Sequence, residues 1–346
     1  MKKRIKLAIT MGDPAGVGSE IIVKALNYPD IYEKCIPVVI GDMAAMEDAL
    51  QFSHINLKIK KIAGMDEAVG IYGTIECISL DLLEKGTWEY KKNSALCGNA
   101  SLKYITHAIQ LTKDREADAM VTAPISKESI NMAGYPYTGH TEILAEYTGT
   151  TDFAMLLASR ELHVIHVSTH VSLMEACRRV RKQRVLKVIR LAERGMRELG
   201  YEHPRIAVAG LNPHCSENGL FGTEEEAEII PAVEEAKCQG IDVEGPIPPD
   251  TVFVKCAAGK YDIVVAMYHD QGHIPLKLNG FQFDKENDRY SAIHGINCTI
   301  GLPIVRTSVD HGTAFGKAGE GRANEDSMVD AIEAAVKMTE NRRGIL

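Results

Sequence analysis

Short apolar segments rich in β-branched residues alternate with longer stretches of helical period along almost the whole chain. Residues 5–10, 36–40, 119–121, 164–168, 206–209 and 263–267 read as strands buried on both faces, since their apolar runs are continuous and not alternating. Between them, apolar positions three and four apart predict helices starting at 20–26 and over 43–50, 99–111, 179–199, 223–237 and 324–339. Thr223 followed by three glutamates suits a helix start, because anionic side chains favour the first turn. Strands alternating with helices predict an α/β fold with a largely parallel sheet. In such sheets, function gathers at the carboxyl ends of the strands, so the loops after them are where chemistry is expected.

The 346 residues suffice for two medium domains with a cleft between them, and no internal repeat or low-complexity linker interrupts the pattern. The net charge of −8 would repel a phosphate backbone, so a nucleic-acid partner is not expected. The longest apolar runs fall far short of a membrane span, and the basic start Met1-Lys2-Lys3-Arg4 leads into a strand and not a signal peptide. Eight cysteines without a Cys-x-x-Cys pair read as reduced, mostly buried residues, and the expected compartment is the cytoplasm.

Three histidines stand just past strand ends: His170 in Ser-Thr-His-Val, His214 in Gly-Leu-Asn-Pro-His, and His269 in Tyr-His-Asp-Gln-Gly. Three convergent imidazoles with an open position suit a catalytic divalent ion. Singly, each is more ordinarily a loop or core histidine. Asp270 is placed to orient an imidazole or join the metal shell, or serves only as a turn residue. The stretch Met11-Gly12-Asp13-Pro14-Ala15-Gly16-Val17-Gly18 would let backbone approach an anion. Its spacing is not that of a dinucleotide fingerprint, and a plain βα turn explains it as well. His140 and Thr141 stand at a helix start, where they would donate to a phosphate or carboxylate, or merely cap the helix. Lys277, Asn297 and Arg306 follow the His269 loop as candidate clamps for anionic groups, the Arg bidentately.

Taken together, these strings resemble the 4-hydroxythreonine-4-phosphate dehydrogenase family over nearly the whole chain. The matching elements are Thr-Met-Gly-Asp-Pro-Ala-Gly-Val-Gly from residue 10, Thr122-Ala-Pro-Ile-Ser-Lys127, Gly139-His-Thr-Glu142, Thr169-His170 and Asn212-Pro-His214. They continue with Pro249-Asp-Thr251, Tyr268-His-Asp-Gln-Gly272 and the run from Gly301 to Ala314. The resemblance implies the two-domain α/β/α fold of the isocitrate and isopropylmalate dehydrogenases, with residues 1–128 and 299–346 in one domain and 129–298 in the other. It implies a homodimer whose active sites are shared between subunits, metal on His170, His214 and His269, and substrate on His140, Thr141, Lys277, Asn297 and Arg306. The string from His311, through Ala318-Gly-Glu-Gly-Arg-Ala, to Asn324 looks like a cofactor loop and puts both named residues near the adenine end of NAD. The implied chemistry is oxidation of a secondary alcohol followed by β-decarboxylation, with Lys127, Asp250 and Asp270 as candidates for the general base.

Two departures point within the family. Residues 282–294 form an extra polar segment, and His273 stands where the vitamin B6 enzymes carry an apolar residue. Both look like the branch acting on D-threonate 4-phosphate or D-erythronate 4-phosphate, with 4-hydroxy-L-threonine 4-phosphate as the alternative substrate. Gly316 and Lys317 replace an expected acidic residue in the cofactor loop, which leaves NADP open beside NAD. Three imidazoles favour Zn²⁺ or Co²⁺, while substrate oxygens in the shell leave Mn²⁺ and Mg²⁺ open. A metal-assisted hydrolase and a non-catalytic binder of phosphorylated ligands are the readings from other classes.

Overall fold

The computed structural model describes residues 4–159, 161–285, 289–293 and 295–345, in two compact units. The first comprises Met1–Thr151 and Leu302–Thr339, the second Asp152–Gly301 and Glu340–Leu346. Within the first unit, α6 (His140–Thr148) buries Ile143 and Leu144 and packs on α4 (Ala95–Lys113).

In the first unit, β1 (Ile5–Thr10), β2 (Cys35–Gly41), β3 (Lys58–Lys61), β4 (Thr74–Ser79), β5 (Ala119–Thr122) and β14 (Arg306–Val309) lie in the order β3-β4-β2-β1-β5-β14. Every pairing there is parallel. Central β2 is buried throughout, as its unbroken apolar run requires. Helices α1 (Gly18–Ala25), α2 (Pro29–Lys34), α3 (Met43–Phe52), α4, α5 (Lys127–Met132), α6 and the start of α12 (Asp326–Ile345) complete the unit.

The glycines after β1 have a structural explanation. A Cβ on Gly12 would lie 2.3 Å from the Pro124 carbonyl oxygen, and one on Gly18 would lie 2.1 Å from that of Met11. Asp13 N–H donates to Pro124 O at 2.9 Å, and Val17 N–H to Thr313 O at 3.1 Å. Three strand-end loops therefore interlock through backbone, which leaves no room for side chains at those positions.

In the second unit the order is β13-β6-β7-β10-β8-β9, with β6 at Ala154–Ala158, β7 at His163–His166, β8 at Ile206–Ala209, β9 at Val243–Ile247, β10 at Ile263–Ala266 and β13 at Ile296–Ile300. The pairings β13–β6 and β6–β7 are antiparallel and the others parallel, so this sheet is mixed. Within the extra segment, β11 (Phe281–Asp284) and β12 (Arg289–Ile293) pair antiparallel as a separate two-stranded sheet; 286–288 and 294 lie outside the described residues.

The helix expected over 179–199 is α8 (Lys182–Glu198), and a separate helix, α7 (Leu173–Arg179), precedes it outside the expected span. Val180 and Arg181 between them have extended ψ values of 89° and 142°. Ser172 caps α7 by accepting from Glu175 N–H, a start signal hidden upstream of the periodic run. The helix expected over 223–237 opens as a π-helical turn at Glu225–Ile229 before α9 (Ile230–Cys238). Helices α10 (Pro249–Ala257) and α11 (His269–Gly280) follow. Among the described residues, no helix is long and apolar enough to cross a membrane.

Candidate active site

In the second unit, the ends of β7 and β10 open into a cleft of about 610 Å³ lined by Thr169, His170, Ser172, Tyr268, His269 and Asp270, with apolar neighbours from α7. The strands pair in parallel, Val264 beside Val164 and Ala266 beside His166, so the loops that follow them emerge side by side. This brings His170 and His269 together, with ring centroids 5.8 Å apart. His269 Nδ1 and Asp270 Oδ1 are 2.7 Å apart; with Nδ1–H donating to the carboxylate, Nε2 presents its lone pair.

Behind this pair the rings continue inward. His273, one turn along α11, stacks on His269 at 3.6 Å and 12°, and His166 lies 4.7 Å beyond it. Burial, and then neighbouring imidazoles, push His166 down to about 3 and His273 to about 4. Both are therefore neutral at physiological pH. Nothing local in the sequence marks His166, the buried last residue of β7.

His214 stands apart. It is exposed, its Nδ1 lies 3.0 Å from Glu217 Oε1, and the five residues from His214 to Asn218 all have positive φ. L-residues enter that region at a cost, so the loop is held by its surroundings. Glu225 supplies the hold: its Oε1 accepts from the backbone of Leu211 at 2.8 Å and Asn212 at 2.7 Å. Burial alone would raise the Glu225 carboxyl, but the Asn212 and Leu211 bonds outweigh it and leave the group below its ordinary range. Among the described residues, no three or more His, Cys, Asp or Glu side chains are grouped closely enough to hold a metal ion. The fit is thus partial. Two imidazoles and an orienting carboxylate are in place, and the third imidazole is held elsewhere.

The other residues expected in this unit have varied surroundings. Lys277 lays its ammonium 4.6 Å from the Phe281 ring centroid, and Asn297 lies on β13 opposite Leu157. Asp250 stands in the first turn of α10, where a carboxylate suits the helix dipole.

The first unit holds a different arrangement. Arg306 is 2% exposed, at the start of β14, and its Nη2 donates to Thr122 Oγ1 at 2.7 Å. His140 and Thr141 open the nine-residue helix α6, whose first N–H groups have no partner within the helix. Nε2 of His140 is buried without a hydrogen-bond partner. Burial first, and the Arg306 guanidinium second, hold this imidazole neutral, well below its ordinary range. Lys127 opens α5 nearby, its Cε 3.9 Å from where a Gly139 Cβ would stand. A guanidinium, a helix start and a lysine are groups that suit an anion, and the Glu142 carboxylate also stands by, its Oε2 3.5 Å from the same Gly139 position.

Farther along, His311 Nδ1 lies 2.9 Å from Gly312 O. Asn324 exchanges two bonds of 3.0 Å with Asp326, one to its backbone and one to its carboxylate, at the start of α12.

The profile of the pyridoxal phosphate biosynthetic protein PdxA family matches residues 33–335. A putative D-threonate 4-phosphate dehydrogenase of Oceanobacillus iheyensis is 46% identical over 340 residues, covering 98% of this chain and 99% of that protein. The D-threonate 4-phosphate dehydrogenase of Cupriavidus necator is 44% identical over 337 residues, covering 97% and 98%. Among solved structures, a 4-hydroxythreonine-4-phosphate dehydrogenase from Klebsiella pneumoniae superposes with a TM-score of 0.83 at 42% identity, covering 97% and 100%. A putative one from Salmonella typhimurium gives 0.85 at 43%, with the same coverage. The chain belongs to the PdxA family, and it is a dehydrogenase acting on a CH–OH group.

Proposed function

We propose that the chain oxidises D-threonate 4-phosphate, or its epimer D-erythronate 4-phosphate, with NAD as oxidant and a divalent ion, most suitably Zn²⁺, at the site. The observation that carries the choice is the near full-length identity of 44% to the Cupriavidus necator enzyme of that name. When bound, the ion on His170, His214 and His269 supplies Lewis acidity to an alcohol or ketone oxygen, and the nicotinamide accepts hydride. Asp270 keeps the His269 lone pair free for that role. His140 and Arg306, with the α6 start and Thr141, bind the phosphate; neutrality at His140 lets it donate or accept without adding charge. Lys127, Asp250 and Asp270 are the candidates for taking the alcohol proton in this scheme, Asp270 being also engaged with His269. Lys277 and Asn297 hold the remaining oxygens, and His311 and Asn324 the adenine side of the cofactor.

Oxidation at C3 leaves a ketone β to the carboxylate. Loss of carbon dioxide then gives a three-carbon keto phosphate, the electrons of the broken bond passing into an enolate. We assign a homodimer with shared active sites, supported by the exposed apolar side chains of Met174, Val254, Ile274 and Leu278 in the second unit. The cytoplasm is assigned because all eight cysteines are unpaired. The test is nicotinamide reduction followed in parallel with D-threonate 4-phosphate, D-erythronate 4-phosphate and 4-hydroxy-L-threonine 4-phosphate, each with NAD and NADP. A higher kcat/KM on the amino substrate than on both sugar acids would overturn the substrate assignment, and a strong bias to NADP would overturn the choice of cofactor.

A further inference from the structure

The backbone between Ala318 and Asn324 is fastened to α1 by a pair of opposite charges. Lys24 Nζ donates to Glu20 Oε1 at 2.8 Å, to Gly321 O at 2.9 Å and to Ala323 O at 2.6 Å. Glu20 Oε1 also accepts from Ala323 N–H at 2.6 Å. All three ammonium protons are thereby committed, and both polar groups of the Ala323 backbone are gripped. Glu20 and Lys24 are one helical turn apart, so α1 presents them on one side. The Glu20 side chain is fully buried and that of Lys24 is 15% exposed.

A buried ion pair is a poor means of stabilisation in itself, because loss of hydration offsets the attraction; apolar side chains of similar volume often do as well. What apolar side chains cannot do is direct a backbone N–H and two carbonyl groups. The path held here is a demanding one. Gly319 and Gly321 have φ values of +77° and +70°, and a Cβ on Gly321 would lie 2.4 Å from Phe52 O. Gly319 packs against the Tyr90 ring, and Glu320 pairs with both Lys91 and Arg322. The chain leaves this clamp directly into Asn324.

We infer that Glu20 and Lys24 are positioning residues for the nicotinamide cofactor: the pair fixes the backbone of 321–323 so that Asn324 is presented to the adenine side. This rests on the proposed assignment of the loop from His311 to Asn324 to the cofactor.

The test uses Lys24→Met, which keeps the stem and removes the charge, and the double variant Glu20→Gln, Lys24→Met, which leaves no lone buried charge. NADH binding is read from quenching of Trp88, the single tryptophan, whose ring centroid is 6.4 Å from that of Tyr90. Steady-state kinetics and thermal melting accompany it. Both variants are expected to weaken NADH binding and raise KM for NAD roughly tenfold. KM for the phosphorylated acid is expected to stay within about twofold, and the double variant to melt within a few degrees of wild type. A purely structural pair would instead lower the melting temperature with no selective change for NAD. Binding of NADH to the double variant within about twofold of wild type overturns the inference alone. Wild-type protein that binds neither NADH nor NADPH overturns the cofactor assignment and the inference with it.

Discussion

The cluster around Arg306 in the first unit and the histidine pair of the second are organised in opposite ways. Around Arg306 the guanidinium is 2% exposed and hydrogen-bonded to Thr122, the neighbouring imidazole is neutral, and the exposed Lys127 stands at the rim. Around His269 the supporting groups are fixed but the set is open. His170 and His269 face one another, whereas His214 rides on an exposed left-handed loop tied down through Glu225. A guanidinium already held in place costs little to reorganise when an anion arrives. A site that lacks one ligand stays loose until something draws the third imidazole in. On the proposed assignment, the first unit supplies binding energy and the second assembles around the ion.

The comparison breaks most visibly at Arg306. Arg306→Ala is expected to lower kcat/KM roughly 10²–10³-fold, because a charge-assisted fork to the phosphate is lost and Thr122 is left unpaired. Arg306→Lys restores the charge but not the fork, and is expected to recover only part of the loss. Kinetics within about twofold of wild type for Arg306→Ala would place the phosphate elsewhere.

Asp270→Asn tests the open site more gently. The amide oxygen still accepts from His269, but the charge that favours the metal-binding tautomer is gone, and Co²⁺ affinity is expected to fall roughly tenfold. A titration matching wild type would remove Asp270 from the orienting role.

Acid stability compares the two buried imidazoles directly. His166 titrates at about 3 in the fold and near 6.5 when unfolded, and His140 is shifted in the same direction. The unfolded chain therefore binds more protons below pH 6.5, and stability is lost as pH falls from there towards 3. Each such histidine contributes up to about 1.4 kcal/mol per pH unit. Chemical denaturation of His166→Phe between pH 7 and 4 is expected to show a shallower loss than wild type; parallel curves would contradict the assignment.

The legible parts of the sequence were those with local signatures. Ile5–Thr10 and Ile206–Ala209 read as strands to the residue, because buried parallel strands are unbroken apolar runs. The short α7 (Leu173–Arg179) was hidden because seven residues are too few to show a helical period. The antiparallel placement of β6 and β13 was hidden because strand direction leaves no trace in composition. His170 and His269 were found from their positions past strand ends, and the structure brings them together. His166 was missed because burial within a strand gives a histidine no neighbourhood signal. His140 and Arg306 lie nearly half the chain apart, and only the family resemblance linked them.

The central claim is that His214 completes the metal centre begun by His170 and His269. The most direct measurement is Co²⁺ titration of metal-free wild-type protein and His214→Ala, followed by visible absorption, with circular dichroism to confirm the fold. Wild type is expected to bind one ion per site with a ligand-field band, and His214→Ala to lose at least roughly tenfold in affinity and change the band. A variant that binds Co²⁺ with unchanged affinity and spectrum would contradict the claim.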